Sequence, residues 1–367
     1  MGSDMDLDEF RRLVKITQSP FLLFRAALRV PAVRVPTVLF RPRAYYQWMK
    51  MWRALPVLDW IRGAELFRDS EFRSASEYYR RGLAKHPEHV ASDCARLDLA
   101  YCLFRMGEVK QALTLLKSIA DEGQSIRDAA LLLAQLQINC GQFYSAAATM
   151  RAALARYPDD AACEIGYCWS VMLSRHPGVN LDQVRFRLRD LRSRVALTDS
   201  RSVIIDSALA YYEIRYGDSE FGEQLLSRVL ASGAAPFEAV LLRGERLLED
   251  GRLTQARDQL ERAMKLLPTD PRPALLLARY YLEPGDTYEA HYAFQLAQEA
   301  CKKSAWEHPD TLAVLVDCYE ALGEEEAAGV IGSRLRALTT ARQLVVDGFD
   351  VVEEQLSKLR QTKISNA

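Results

Sequence analysis

The stretch FEAVLLRGERLLEDGRLTQARDQLERAMKLLP, residues 237–268, holds Gly244, Ala256, Ala263 and Pro268 at intervals of 12, 7 and 5. The same intervals separate Gly63, Ala75, Gly82 and Pro87, and again Ala134, Ala146, Ala153 and Pro158. Ala278, Ala290 and Ala297 repeat the first three points, while Ala100 and Ala134, and Ala210, Gly244 and Ala278, stand 34 residues apart. Three copies of a four-point pattern mark an internal repeat. Between the small residues the apolar positions fall at helical spacing, as in Leu131, Leu132, Leu133, Leu136 and Ile138.

Each unit therefore reads as a helix, a turn and a second helix. Turn signals stand at Met106-Gly107, Cys140-Gly141, Tyr216-Gly217, Asp250-Gly251, Pro284-Gly285 and Leu322-Gly323. The small residues belong where two antiparallel helices come closest, because a larger side chain there would drive the backbones apart. The closing proline ends the second helix by removing a donor. One pair cannot bury its apolar stripe alone, so stacked pairs must share a thin continuous core.

This 34-residue pattern resembles the tetratricopeptide repeat, and the resemblance implies an all-α, tetratricopeptide-type α-solenoid, a right-handed superhelix of helix pairs. About eight units fill residues 57–341, the fourth degenerate: it has Cys168 at the small position and an insertion around His176-Pro177-Gly178. Residues 1–56 form an N-terminal extension. Residues 342–367 hold a further amphipathic stretch (Leu344, Val345, Phe349, Val352, Leu356), expected as a C-terminal capping helix and tail.

The resemblance also implies which residues face the concave groove: positions 2, 5, 9, 12 and 13 of each first helix. These give Trp60, Phe67 and Arg68 in the first unit, Leu97, Tyr101, Phe104 and Arg105 in the second, Tyr211, Ile214 and Arg215 in the fifth, and Arg279 in the seventh. The expected groove is aromatic and basic, and such side chains dominate binding energy at interfaces because they bury much area while keeping a polar end. The competing reading packs the aromatics between units. The family's clamp of Lys and Asn for the C-terminal carboxylate of a chaperone tail is missing: Trp60 and Ala64, and Leu97 and Tyr101, occupy its places. A partner helix or extended segment fits the groove better.

Composition agrees with a folded, soluble chain: 49% of the residues are apolar and 26% charged, with only 18 Gly and 14 Pro in 367, which excludes disordered and collagen-like classes. The net charge of −1 hides an asymmetry. Four acids and no base occupy residues 1–10; Lys and Arg alone carry the charge of residues 11–58. In this extension Arg25, Arg29, Arg34, Arg41 and Arg43 accompany Trp48 and Trp52. Its apolar residues could cap the first repeat or lie along the groove. Its cations and aromatics could instead meet an anionic membrane surface, or phosphates of nucleic acid, which is the weakest of the three because a basic run carries no base readout. The apolar run 21–40 is broken by Arg25, Arg29, Arg34, Pro31 and Pro36 and does not read as a spanning helix. The acidic opening does not suit a secretory signal, and Met1-Gly2-Ser3 also suits an added leader before Met5.

Seven cysteines with no C-x-x-C pair fit a reducing, cytoplasmic setting, and the membrane reading of the extension would make that place peripheral, at the cytoplasmic face of a membrane. No P-loop, G-x-S-x-G, H-E-x-x-H or dinucleotide fingerprint is present, so no catalytic residue and no cofactor is expected. His86 with His89, and Cys163 with Cys168, lack the second pair that would complete a zinc site, so no metal is expected. The sequence thus points to a non-catalytic scaffold or adaptor that holds a protein partner in its groove. A peripheral membrane assembly factor and an accessory subunit of an enzyme complex are the alternatives.

Overall fold

The computed structural model describes residues 56–85, 87, 92–121, 127–174, 181–196, 200–233, 235–283 and 289–342. The expected extension, with Arg25, Arg29, Arg34, Arg41, Arg43, Trp48 and Trp52, and the tail beyond 342 lie outside these residues. Among the described residues there is no strand. The helices are α1 (Pro56–Arg68), α2 (Phe72–Lys85), α3 (Ser92–Arg105), α4 (Val109–Asp121), α5 (Arg127–Asn139), α6 (Phe143–Arg156), α7 (Ala161–Ser174), α8 (Leu181–Arg194), α9 (Ser200–Tyr216), α10 (Ser219–Ala231), α11 (Phe237–Glu249), α12 (Leu253–Leu266), α13 (Arg272–Leu282), α14 (Ala290–Lys303) and α15 (Pro309–Ala321). A last helix, α16, starts at residue 325 and is described as far as 342. The chain forms two compact bodies, residues 1–126 with α1–α4 and residues 127–367 with α5–α16. In both bodies odd and even helices pair as first and second members of a repeat.

One rule sets the pairing. The fourth residue of the second helix is small and buried in seven pairs: Ala75, Ala112, Ala146, Gly222, Ala256, Ala293 and Ala328. Only the fourth pair departs, with Val184 there. This corrects the expectation for Ala290, which is the half-buried first residue of α14. Ala278 and Ala293 are 15 residues apart instead of 12, so the turn between α13 and α14 is three residues longer and the register moves from Ala290 to Ala293. Glycines serve the same contact on facing helices: a Cβ on Gly244 would lie 2.8 Å from Leu260 Cδ2, and one on Gly63 would lie 3.1 Å from the Tyr79 ring.

Trp60 is spent on this contact too. It is 2% exposed, and a Cβ on Gly82 would meet its Nε1 at 2.4 Å. Trp60 is therefore not a groove residue: the indole fills the space that Gly82 leaves between α1 and α2.

The turns are Schellman-type helix ends. Gly107, Gly141, Gly251 and Gly323 have φ of 81°, 67°, 72° and 75°, and the next residue's N–H reaches back to the carbonyl five positions earlier, as in Gln142 N to Gln137 O at 2.7 Å. Ser70 takes the left-handed position in the first pair at φ 64°, with Glu71 N donating to Leu66 O at 2.9 Å, so that turn carries no glycine signal. Gly217 has another role than the one its sequence context predicts. It is not left-handed; a Cβ there would stand 2.3 Å from Glu213 Oε2. Glu213 is fully buried and held by two bonds of 2.8 Å from Arg185 and one of 3.1 Å from Arg189. A buried carboxylate needs such pairing to offset its lost hydration.

The second body closes on itself. Arg342 donates to the carbonyls of Gly141 at 2.6 Å, Cys140 at 2.5 Å and Glu307 at 2.7 Å. Its cation thereby meets carbonyls at the C-terminal end of α5, where the helix dipole favours positive charge. Beside it Gln142 Nε2 donates to Glu307 Oε2 at 2.9 Å, Asn139 Nδ2 to Thr269 O at 3.2 Å, and the Phe143 and His308 rings meet edge to face at 5.9 Å. Gly141 leaves the room: a Cβ on it would sit 2.9 Å from His308 and 3.0 Å from Arg342.

Two outcomes test this packing. Leucine at Ala146, Ala256 or Ala293 should cost about 1–3 kcal/mol by overpacking, whereas Ala290→Leu should melt within a degree or two of wild type. Arg342→Ala should cost about 2 kcal/mol by orphaning three carbonyls, with hydrogen exchange accelerating first around residues 136–143.

Candidate functional site

First helices of the second body enclose a cavity of about 560 Å³. Its wall is apolar, from Trp169 and Leu173 of α7, Leu241, Leu242 and Leu248 of α11, Leu275 and Leu276 of α13, and Phe143 at the start of α6. Its polar residues are Ser174 of α7, Tyr211 and Arg215 of α9, Glu238, Glu245 and Glu249 of α11, Arg272 and Arg279 of α13, and His308 and Asp310 at the start of α15. The lining follows the repeat: Tyr211, Glu245 and Arg279 are 34 residues apart, as are Arg215 and Glu249, Glu238 and Arg272, and Leu242, Leu276 and Asp310. Trp169 precedes Tyr211 by 42, the extra length falling in the degenerate fourth unit.

The charges are partly tied together. Arg215 binds Glu245 at 2.8 Å and Glu249 at 2.5 Å, and Arg246 bridges Glu249 and Glu223. Burial lowers the Arg215 guanidinium's hold on its proton, but these two carboxylates outweigh it and the net shift is upward. Arg272 is held by Asp270, whose carboxylate is fully buried, at 2.8 Å, and lies 5.2 Å over the Phe237 ring. Burial pushes the Glu238 carboxyl up, and Arg272 only partly counters it. His308 is 5% exposed, and burial takes its imidazole down to about 4, so it is neutral at physiological pH. Its Nδ1 accepts from Asp310 N at 3.2 Å, which caps α15 and leaves Nε2 as the protonated nitrogen.

Of the expected groove residues, Tyr211, Arg215 and Arg279 line this cavity. Those of the first body gather separately. Tyr101 is 40% exposed and meets the half-buried Phe67 edge to face at 6.0 Å; Arg105 is exposed, 4.5 Å over the Phe72 ring; Arg68 is exposed as well. Phe104, 5% exposed, belongs to the core, while Tyr101 and Arg105, four apart, share the outer face. The cavity is also not simply basic: Glu238, Glu245, Glu249 and Asp310 stand against Arg215, Arg272 and Arg279. Glu238, Leu241, Glu245, Leu248 and Glu249 are positions 2, 5, 9, 12 and 13 of α11, so the register that selected Tyr211 and Arg279 also contains them, and selecting aromatics and Arg alone passed over them.

The seven cysteines are all buried, and burial pushes the thiols of Cys102, Cys168 and Cys318 up to about 12. They serve as small apolar residues. Among the described residues no three His, Cys, Asp or Glu side chains stand together as a metal site would need, and no helix is long and apolar enough to cross a membrane.

Residues 66–127 match the tetratricopeptide repeat family model, and the described helices outside that stretch follow the same order of first and second members. No curated protein matches in sequence. Similar solved structures include the human IFIT1 dimer with m7Gppp-AAAA, at 15% identity over 76% of this chain and 67% of that one, with a TM-score of 0.46. A tetratricopeptide repeat protein from Parabacteroides merdae is 14% identical over 70% of this chain and 96% of its own, with a TM-score of 0.46. Yeast Tom70 is 14% identical over 98% and 82%, with a TM-score of 0.44. The family character of the repeats suggests a protein-interaction role.

His308 supplies a pH test. Its folded pKa is depressed from 6.5 to about 4, so on acidification the unfolded chain takes up the proton first. The stabilising neutral form is fully present above about 6.5 and lost as pH falls toward about 4. His308→Asn, which keeps a capping acceptor, should flatten the dependence of Tm on pH across that window relative to wild type; parallel curves would show that the imidazole stays charged.

Proposed function

We propose that this protein is a non-catalytic scaffold or adaptor that holds a segment of a protein partner in the cavity of its second body and so organises a multiprotein assembly. The observation that carries the reading is the cavity lining. Leucines and Trp169 supply apolar area, and charged side chains at the same 34-residue register supply orientation. Such a combination suits an extended segment or a helix laid along successive repeats. The side chains of the lining that could act as nucleophile or base are otherwise engaged: Ser174 Oγ donates to Val171 O at 2.7 Å, Tyr211 is 5% exposed, and the His308 Nδ1 accepts from backbone. An odd count of seven cysteines with no C-x-x-C pair accords with a cytoplasmic place of action. The exposed Tyr101 and Arg105 of the first body offer a second contact surface for the same or another partner.

A photo-cross-linking amino acid at Leu276, in the cavity wall, tests this in the full chain. The control position is Val330, 66% exposed on α16 and absent from the cavity. Cross-links to one recurrent protein from position 276 and none to it from 330 are expected. The same products from both positions, or products from 330 alone, would place binding elsewhere.

A further inference from the structure

The charged side chains of the cavity do not all find ion-pair partners among the described residues. Arg215 is satisfied by Glu245 and Glu249, and Arg272 by Asp270. Glu238, Asp310 and Arg279 have no ion-pair partner among the described residues. The two acids lie in the first turns of α11 and α15 and Arg279 in the last turn of α13, which suits their signs to the helix dipoles; Glu238 has a backbone hydrogen bond within its own residue, which lowers its carboxyl less than burial raises it. Glu238 is the most exacting of the three. It stands on a wall of leucines, burial disfavours its charge, and the one cation acting on it, Arg272, is already bound to Asp270. A carboxylate in that position is stabilised by a cation from outside.

The unpartnered charges are also spaced and ordered. Arg279 lies seven residues along α13 from Arg272, roughly 10 Å of helix axis, and Arg272 faces Glu238 at the other end of the wall. An extended chain advances about 3.3 Å per residue, so roughly 10 Å corresponds to three residues. Between the two ends the wall is made of Leu241, Leu275 and Leu276.

We propose that the cavity selects an extended peptide segment with a Lys or Arg side chain for Glu238, a carboxylate side chain about three residues away for Arg279, and apolar residues between them. This rests on the reading that the cavity holds a partner segment, and adds the sign, order and spacing of that segment's charges. Asp310 supplements the acidic end. The acids of α11 thus repel a uniformly acidic segment, which the basic groove expected from sequence would have accepted.

A random seven-residue peptide library displayed against the full chain, wild type beside Glu238→Gln and Arg279→Glu, tests the proposal. Thermal melts establish that both variants fold, and hydrogen exchange on each selected peptide reports whether residues 237–249 and 272–282 gain protection. Wild type is expected to select peptides with a cation and an acid three or four residues apart, flanking apolar residues, that protect both helices. Glu238→Gln should bind such a peptide about tenfold more weakly, and no more weakly when the peptide's cation is replaced by Gln. Arg279→Glu should select a cation where wild type selects an acid. Peptides that protect both helices with no charge order would overturn this inference and leave the partner-binding reading standing; peptides that protect neither, or no selected peptide at all, would overturn both.

Discussion

The small, buried fourth residue of the second helix, present in seven of the eight described pairs, is the constraint on which the array depends. Ala75, Ala146, Ala256 and Ala293 are buried completely there, so a larger side chain would have to displace its neighbours. Close-packed interiors respond to one added methylene, so this position fixes the distance within a pair. Distance within the pair then fixes which face of the first helix turns away from its partner. The cavity lining at intervals of 34 is the downstream result, since every first helix presents the same positions once every pair has the same geometry.

Much of this was legible in the sequence, and the failures have definite causes. The pair contact could be read at Gly63, Ala146, Gly244 and Ala256 because small residues at fixed intervals have no other common origin than helices that touch. It was misread at Ala290, where a longer turn moves the contact to Ala293 and an alanine happens to stand at both places. Trp60 looked like a groove residue because its position in the helix is a groove position elsewhere; only the missing side chain of Gly82 opposite shows that the indole turns into the pair. Residue type misled in the cavity as well. A search for aromatic and basic anchors passed over Glu238, Glu245 and Glu249, although the register that yielded Arg215 and Arg279 contains them. The contacts of Arg342 had no sequence signal, since its partners are backbone carbonyls that any residue supplies.

Two kinds of buried charge should be kept apart. Glu213, under Arg185 and Arg189, is saturated: its partners come from its own body and it anchors the poorly patterned fourth pair to the fifth. Glu238 shares its chemistry but not its saturation. A protein gains little stability from leaving a carboxylate in that state, so the difference between the two marks where internal packing ends and recognition begins.

The bridge from Arg342 to Cys140 and Gly141 changes how the second body must unfold. In an open repeat array each pair answers only to its neighbours, so stability accumulates pair by pair and ends fray independently. Here two places some 200 residues apart in the chain are fastened to one another. Fraying of the last helix is therefore also a loss for α5, and the body approaches a single cooperative transition. The number of pairs between the fastened places is fixed for the same reason. Deleting or duplicating a 34-residue unit between α6 and α14, a change that open arrays absorb as a shorter or longer stack, would part the guanidinium from the carbonyls of Cys140 and Gly141 and leave it that of Glu307 alone.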